Sequence, residues 1–255
     1  MLTTDNLTGS PNWLDIASTD IPATAEFYGA VFGWTFQSAG PDTGGYGFFQ
    51  VDGKTVAAIG ALVGDDAVPA WTVYFNTPDA EATAKAVEEG GGTVRLAPFD
   101  VLDAGRMACF TDPGGAEFAV FQPGTVKGLD VTSKYNTLGW TELHATDHAA
   151  AMAFYGSLFD WRGGELDMAG TPYTTLSTST GDLLATSFGG IIAPDEGTRS
   201  RWLPYFDVED ADDILAKTQE NGGSVLVPVV DVPGVGRLAR CADPAGVAFA
   251  VLQPA

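Results

Sequence analysis

An α+β fold made of two tandem domains, each a pair of βαβββ units, is what this 255-residue sequence predicts. The first supporting observation is an internal repeat. Trp13-Leu14-Asp15, Asp20, Phe27-Tyr28-Gly29, Phe32 and Trp34 return 127 positions later as Trp140-Thr141-Glu142, Asp147, Phe154-Tyr155-Gly156, Phe159 and Trp161. Trp71, Tyr74-Phe75, Asp79-Ala80, Gly91-Gly92, Gly105-Arg106, Asp112-Pro113 and Gln122-Pro123 return 131 positions later, from Trp202 to Gln253-Pro254. Matches at so steady an offset mark a duplication. The drift places a four-residue insertion between Tyr173 and Trp202. The second observation is that short runs of strand period alternate with runs of helical period. The third is that glycine (32 residues) and proline (15 residues) punctuate those runs as turn residues should. Two domains follow, over residues 1–125 and 134–255, joined by the polar connector Gly124 to Ser133.

In chain order, Asn12–Ala17 reads as a strand. Asp20 reads as an N-cap, with Pro22 in the first helical turn where its missing N–H is harmless. Ala23–Phe32 places Phe27, Tyr28 and Val31 on one helical face. Three short strands follow over Gly33–Gln37, Gly45–Val51 and Thr55–Leu62. The order then restarts with a strand over Trp71–Asn76 and a helix opened by Thr77-Pro78, running to about Glu89 and closed by Gly90-Gly91-Gly92. Strands over Thr93–Val101, Arg106–Thr111 and Ala116–Gln122 complete the first copy, and the second repeats the order. Helices covering one sheet face leave the other for a partner sheet or a ligand.

Twelve Lys and Arg against 33 Asp and Glu give a formal charge of −21. That balance argues against nucleic acid, whose phosphates need cationic partners, and against anionic membranes. The apolar runs are too short to span a bilayer. The first residues hold neither a basic patch nor an apolar stretch, so no secretion signal is expected. Two cysteines, Cys109 and Cys241, do not align in the repeat. They suggest neither a disulfide framework nor a redox pair, and the expected compartment is the reducing cytoplasm.

The early Asp, the Phe-Tyr helix and the Phe-Gly-Trp that ends it (Asp20, Phe27-Tyr28, Phe32-Gly33-Trp34), with their second-copy counterparts, resemble the vicinal oxygen chelate superfamily of glyoxalase I, bleomycin-resistance proteins and extradiol dioxygenases. So do Asp112-Pro113-Gly114-Gly115 through Gln122 and Asp243-Pro244-Ala245-Gly246 through Gln253. The resemblance covers nearly the whole chain twice, and is nearest to tandem-domain actinobacterial glyoxalase-like or hydroxylase members. It implies that each pair of βαβββ units forms a half-open barrel around a cavity. In metal-using relatives the ligand positions fall, in this sequence, on Trp13 and Trp140, Thr72 and Leu203, Ala119 and Ala250, and the strands near Ala57–Gly60 and Thr186–Gly190. None supplies a His or Glu, so the expectation is no metal and no cofactor.

Strand parity then nominates the cavity lining. With Trp13 inward, Asp15 and Ala17 share its face while Leu14 and Ile16 pack under the helix. In the second copy Trp140, Glu142 and His144 face inward. Tyr74, Glu117, Tyr205 and Asp207 complete the polar and aromatic lining. Asp15, Glu142 and His144 are the catalytic candidates, since a carboxylate beside an imidazole makes an acid–base pair near neutral pH. Trp13, Tyr74, Glu117, Trp140, Tyr205 and Asp207 are the substrate-binding candidates, the indoles offering flat surfaces to a planar ligand. The other reading of Glu142, His144 and Asp207 is a hydrogen-bonded polar wall without chemistry. His148, in a helix first turn, reads as surface. Arg106 and Arg237 are either structural or partners for a substrate anion.

Three functions stay open. One is a metal-independent enzyme acting on a planar oxygenated molecule, such as an aromatic polyketide or a dicarbonyl. Another is a drug-sequestering resistance protein. The third is a metal-dependent lyase or dioxygenase with atypical ligands. The His–carboxylate pair, present in one copy only, favours the first. The expected partner is a small organic molecule, and the expected state is a monomer or weak homodimer.

Overall fold

The computed structural model describes the chain except Met1 and residues 65–66, 169–170 and 179–185, and describes the backbone alone at 167–168. Part of the span assigned to the insertion therefore lies outside the described residues. The elements follow the predicted order. The first copy holds β1 (Pro11–Ser18), α1 (Ile21–Phe32), β2 (Thr35–Ser38), β3 (Gly47–Val51), β4 (Lys54–Ala61), β5 (Ala70–Asn76), α2 (Ala80–Glu89), β6 (Thr93–Val101), β7 (Gly105–Thr111) and β8 (Glu117–Pro123). The second holds β9 (Thr137–His144), α3 (His148–Phe159), β10 (Arg162–Met168), β11 (Thr171–Ser177), β12 (Ser187–Ile192), β13 (Arg201–Asp207), α4 (Ala211–Glu220), β14 (Ser224–Val232), β15 (Gly236–Ala242) and β16 (Ala248–Pro254).

The two eight-stranded sheets share one topology, β2-β3-β4-β1-β5-β8-β7-β6 and β10-β11-β12-β9-β13-β16-β15-β14. Within each βαβββ module the strand before the helix pairs in parallel with the last strand, as β1 does with β4 and β9 with β12. The hairpins between are antiparallel. The helix is the crossover that parallel pairing demands. No helix among the described residues is long and apolar enough to cross a membrane.

Local chemistry sets the helix ends. Asp20, Asp79, Asp147 and Asp210 each cap a helix, accepting from backbone N–H groups of the first turn. The predicted opening of α2 at Thr77-Pro78 moves two residues on. Asp79 takes the cap, and the Thr77 hydroxyl instead meets Thr83 Oγ1 at 2.8 Å. Gly33 ends α1 in the left-handed conformation (φ 71°) rather than opening a strand. The connector is anchored rather than loose, because Asp130 exchanges two hydrogen bonds with Thr55, at 2.7 and 2.9 Å.

The chain condenses into two compact units that each draw on both copies. One comprises residues 1–13, 73–128 and 140–203; the other comprises 14–72, 129–139 and 204–255. Each unit has an aromatic core on the helix side of its strands. In the first, Phe75, Phe118, Tyr155, Trp161 and Trp202 pack with ring centroids 4.9–6.4 Å apart. In the second, Tyr28, Phe32, Trp34, Trp71, Phe206 and Phe249 do the same. Such pairs add about 0.5–1.5 kcal/mol each beyond the area they bury.

Each core encloses one polar relay built from repeat residues. In the first unit Trp202 Nε1 donates to the Tyr155 hydroxyl at 2.9 Å, which donates to Asp112 Oδ2 at 2.9 Å. In the second, Trp71 Nε1 donates to Tyr28 at 3.0 Å, and Tyr28 reaches Asp243 at 3.4 Å. The other oxygen of each Asp closes its own turn, Asp112 accepting from Ala116 N and Asp243 from Val247 N and Ala245 N. Burial, helped by the Asp charge, holds Tyr155 and Tyr28 well above the usual phenol range. Burial also raises both Asp carboxyls, against the opposing pull of their hydrogen bonds.

Candidate active site

β9 carries the site. Its alternation points Trp140, Glu142 and His144 to one face, while Leu143 is fully buried on the other. His144 Nε2 lies 3.0 Å from Glu142 Oε1, and both side chains are buried. His144 Nδ1 is buried and pairs with no described residue.

A residue not foreseen from sequence joins them. Tyr173, on β11, donates its hydroxyl to Glu142 and accepts from Trp140 Nε1 at 2.8 Å. A hydrogen-bonded chain thus runs Trp140, Tyr173, Glu142, His144. Burial first, and the Glu142 charge second, raise the Tyr173 phenol well above its usual range, so it stays a donor. Gly190 makes room for it, since a Cβ there would stand 2.2 Å from the Tyr173 ring. Gly190 is also the β12 residue paired with Glu142.

The first copy holds a reduced version. Tyr46 reaches Asp15 Oδ2 at 3.4 Å and lies over Gly60, where a Cβ would meet the ring at 3.0 Å. Tyr46 and Tyr173 are separated by the same 127 positions as the other early repeat residues, which was the available signal for both. Ala17 stands where the second copy has His144, so this version has an acid and a phenol but no imidazole.

The other nominated residues fall in several places. Trp13 is buried, its ring 6.1 Å from Phe121, whereas Trp140 is part-exposed. Asp15 and Ala17 are part-exposed beside the buried Leu14 and Ile16. Tyr74 and Tyr205 are buried on the face away from the aromatic cores. Glu117 is exposed and ion-paired with Arg95. Asp207 belongs to the other compact unit from Glu142 and His144. His148 is half-buried, with Nδ1 3.3 Å from Thr174 Oγ1, and burial lowers its pKa. Arg106 clamps Asp100 and Glu81, both at 2.7 Å, and Arg237 holds Asp212 at 2.8 Å and Asp231 at 3.4 Å, so both tie a helix to its strands.

The model of the Glyoxalase/Bleomycin resistance protein/Dioxygenase superfamily matches residues 10–120 and again 137–251. The chain belongs to that superfamily. Among superfamily relatives, the anthracycline biosynthesis protein DauV of Streptomyces sp. (strain C5) is 38% identical, over 96% of this chain and 93% of that protein. The putative glyoxylase CFP32 of Mycobacterium tuberculosis (strain CDC 1551 / Oshkosh) is 35% identical, over 97% and 95%. Solved structures sharing the fold include 2,2',3-trihydroxybiphenyl 1,2-dioxygenase from Sphingomonas wittichii strain RW1 (TM-score 0.63, 14% identity, 96% of this chain and 90% of that one). The Mn(II)-bound glyoxalase from Novosphingobium aromaticivorans is another (TM-score 0.63, 15% identity, 97% and 82%).

The residues present do not fit the metal ion that some superfamily members carry. At the first position that the family resemblance assigns to a ligand, Trp140 turns an N–H donor, not a lone pair, toward Tyr173. Ala119 and Ala250 put fully buried methyl groups at the second, and Leu203 is buried at the third. Among the described residues no three His, Cys, Asp or Glu side chains converge as a ligand set.

Proposed function

We propose that the chain is a metal-independent enzyme that moves a proton on a planar, oxygenated aromatic compound of the polyketide kind, with Glu142 and His144 as its acid–base pair. The observation that carries this reading is the buried imidazole held by Glu142 through Nε2 with Nδ1 unpaired among the described residues. With Nε2–H donating to the carboxylate, Nδ1 presents a lone pair. It accepts a proton from a phenol, an enol or a carbon next to a carbonyl, and Glu142 stabilises the imidazolium that results. Tyr173 holds Glu142 from the other side, and Trp140 orients Tyr173. The relatives named for anthracycline biosynthesis support an aromatic polyketide as the substrate class.

The test is turnover of anthracyclinone-type compounds and of 2-oxoaldehydes, followed by chromatography and mass spectrometry. Turnover by the intact chain and its loss in His144→Ala are expected. Equal turnover in that variant removes His144 from the mechanism. Tight binding without turnover by the intact chain moves the reading to sequestration.

A further inference from the structure

A second position tells the two copies apart. In the first copy Asn12 and Asn76 face each other, Asn12 Nδ2 donating to Asn76 Oδ1 at 3.1 Å, and both are buried. Their counterparts are Gly139 and Asp207. The backbone is equivalent in the two copies: Gly9 N donates to Asn76 O at 2.8 Å, and Asn136 N to Asp207 O at 2.6 Å. The side chains are not. Gly139 has no amide to offer, and the Asp207 carboxylate lies where a Gly139 Cβ would be, 2.0 Å from Oδ1. Among the described residues the carboxylate has no hydrogen-bond donor and no ion pair, and burial alone raises its pKa to about 6. Beside it opens a recess of about 260 Å³, lined by Ser133, Lys134, Tyr135, Asp207 and Pro254.

The geometry points to a binding site for an organic ammonium ion in this recess, with Asp207 as the anionic anchor and Tyr135 and Pro254 as apolar walls. The ligand's N–H groups take the place of the amide donor that Asn12 supplies in the other copy. Burial weakens the competition of water for the carboxylate, and hydrogen bonds to charged groups are worth more than neutral ones. Lys134 is exposed, and among the described residues no cation is paired with the Asp207 carboxylate. The net charge of −21 raises the local concentration of cations. The site lies in the other compact unit from His144 and does not rest on the proposed acid–base chemistry.

The experiment is calorimetric titration of the whole chain with 2-phenylethylammonium and n-butylammonium, with 2-phenylethanol as the uncharged control. Binding of an amine and not the alcohol is expected at pH 8. It should weaken at pH 5, where Asp207 is protonated; the other titratable groups of the lining are Lys134 and Tyr135. Asp207→Asn should weaken binding about tenfold or more. Gly139→Asn, which restores the arrangement of the first copy, should do the same, while His144→Ala keeps the binding. Failure of both amines to bind the intact chain, or unchanged binding in Asp207→Asn, overturns the proposal. The Asp207→Asn comparison also separates this site from diffuse attraction, since it removes one of 33 acidic groups.

Discussion

The hydroxyl of Tyr155 donates to Asp112 Oδ2 at 2.9 Å, across 43 positions of sequence. The equivalent contact in the other core, Tyr28 to Asp243, is 3.4 Å long. Tyr155→Phe leaves a buried carboxyl and the Trp202 N–H each short of a partner. It should cost about 1–3 kcal/mol in urea unfolding. Tyr28→Phe should cost less, because the longer bond gives up less. The opposite order would show that distance does not govern these relays.

Asp207 gives a pH dependence of definite sign. Its folded pKa, about 6, lies above that of an unfolded Asp, so the folded chain binds the extra proton. The associated stability is fully present below the unfolded value, near 4, and is lost as pH rises through about 6. Asp207→Asn should therefore match the parent chain at pH 4 and exceed it at pH 8 by about 1–2 kcal/mol, allowing for partial exposure. Denaturant midpoints of both proteins at the two pH values measure this. A variant less stable at pH 8 would mean that the carboxylate is satisfied after all.

Glu142→Gln removes the charge that stabilises an imidazolium at His144 while keeping the size of the side chain. Turnover should fall about 10²–10⁴-fold. Tyr173→Phe removes one hydrogen bond to that carboxylate and should cost less, about 10–100-fold, with a displaced pH–rate profile. A profile that stays in place would assign Tyr173 to packing alone.

Gly190→Ala drives a methyl group into the Tyr173 ring, whereas Gly60→Ala touches Tyr46 only at 3.0 Å. The first should destabilise by about 1–3 kcal/mol and perturb the near-ultraviolet circular dichroism; the second should do so less. Similar losses at the two sites would show that both rings move aside freely.

Element order was legible because it rests on local signals: Asp before each helix, glycine directly after α1 and α2, and period-two strands between. The Glu142–His144 pair was legible for the same reason, since residues two apart on one strand share a face. Tyr173 was missed because it comes from another strand, and one strand's parity says nothing about which ring folds over it. The repeat marked Trp71, Tyr28 and Asp243 as special without revealing that they form one relay, because hydrogen bonding across 215 positions leaves no trace in spacing. Strand parity puts Asp207 with Glu142 and His144. What sets it apart is its neighbour Gly139, and the absence of a side chain carries no chemical signal in a sequence.

The interleaving of the copies has an evolutionary consequence. Each compact unit takes one module from either side of the connector, so neither copy by itself supplies both modules of a unit. A half-length ancestor would have met its missing module only in a sister molecule. Fusion of two such halves would turn that encounter into a tether, and with both on one chain, one copy is free to carry an imidazole where the other carries an alanine.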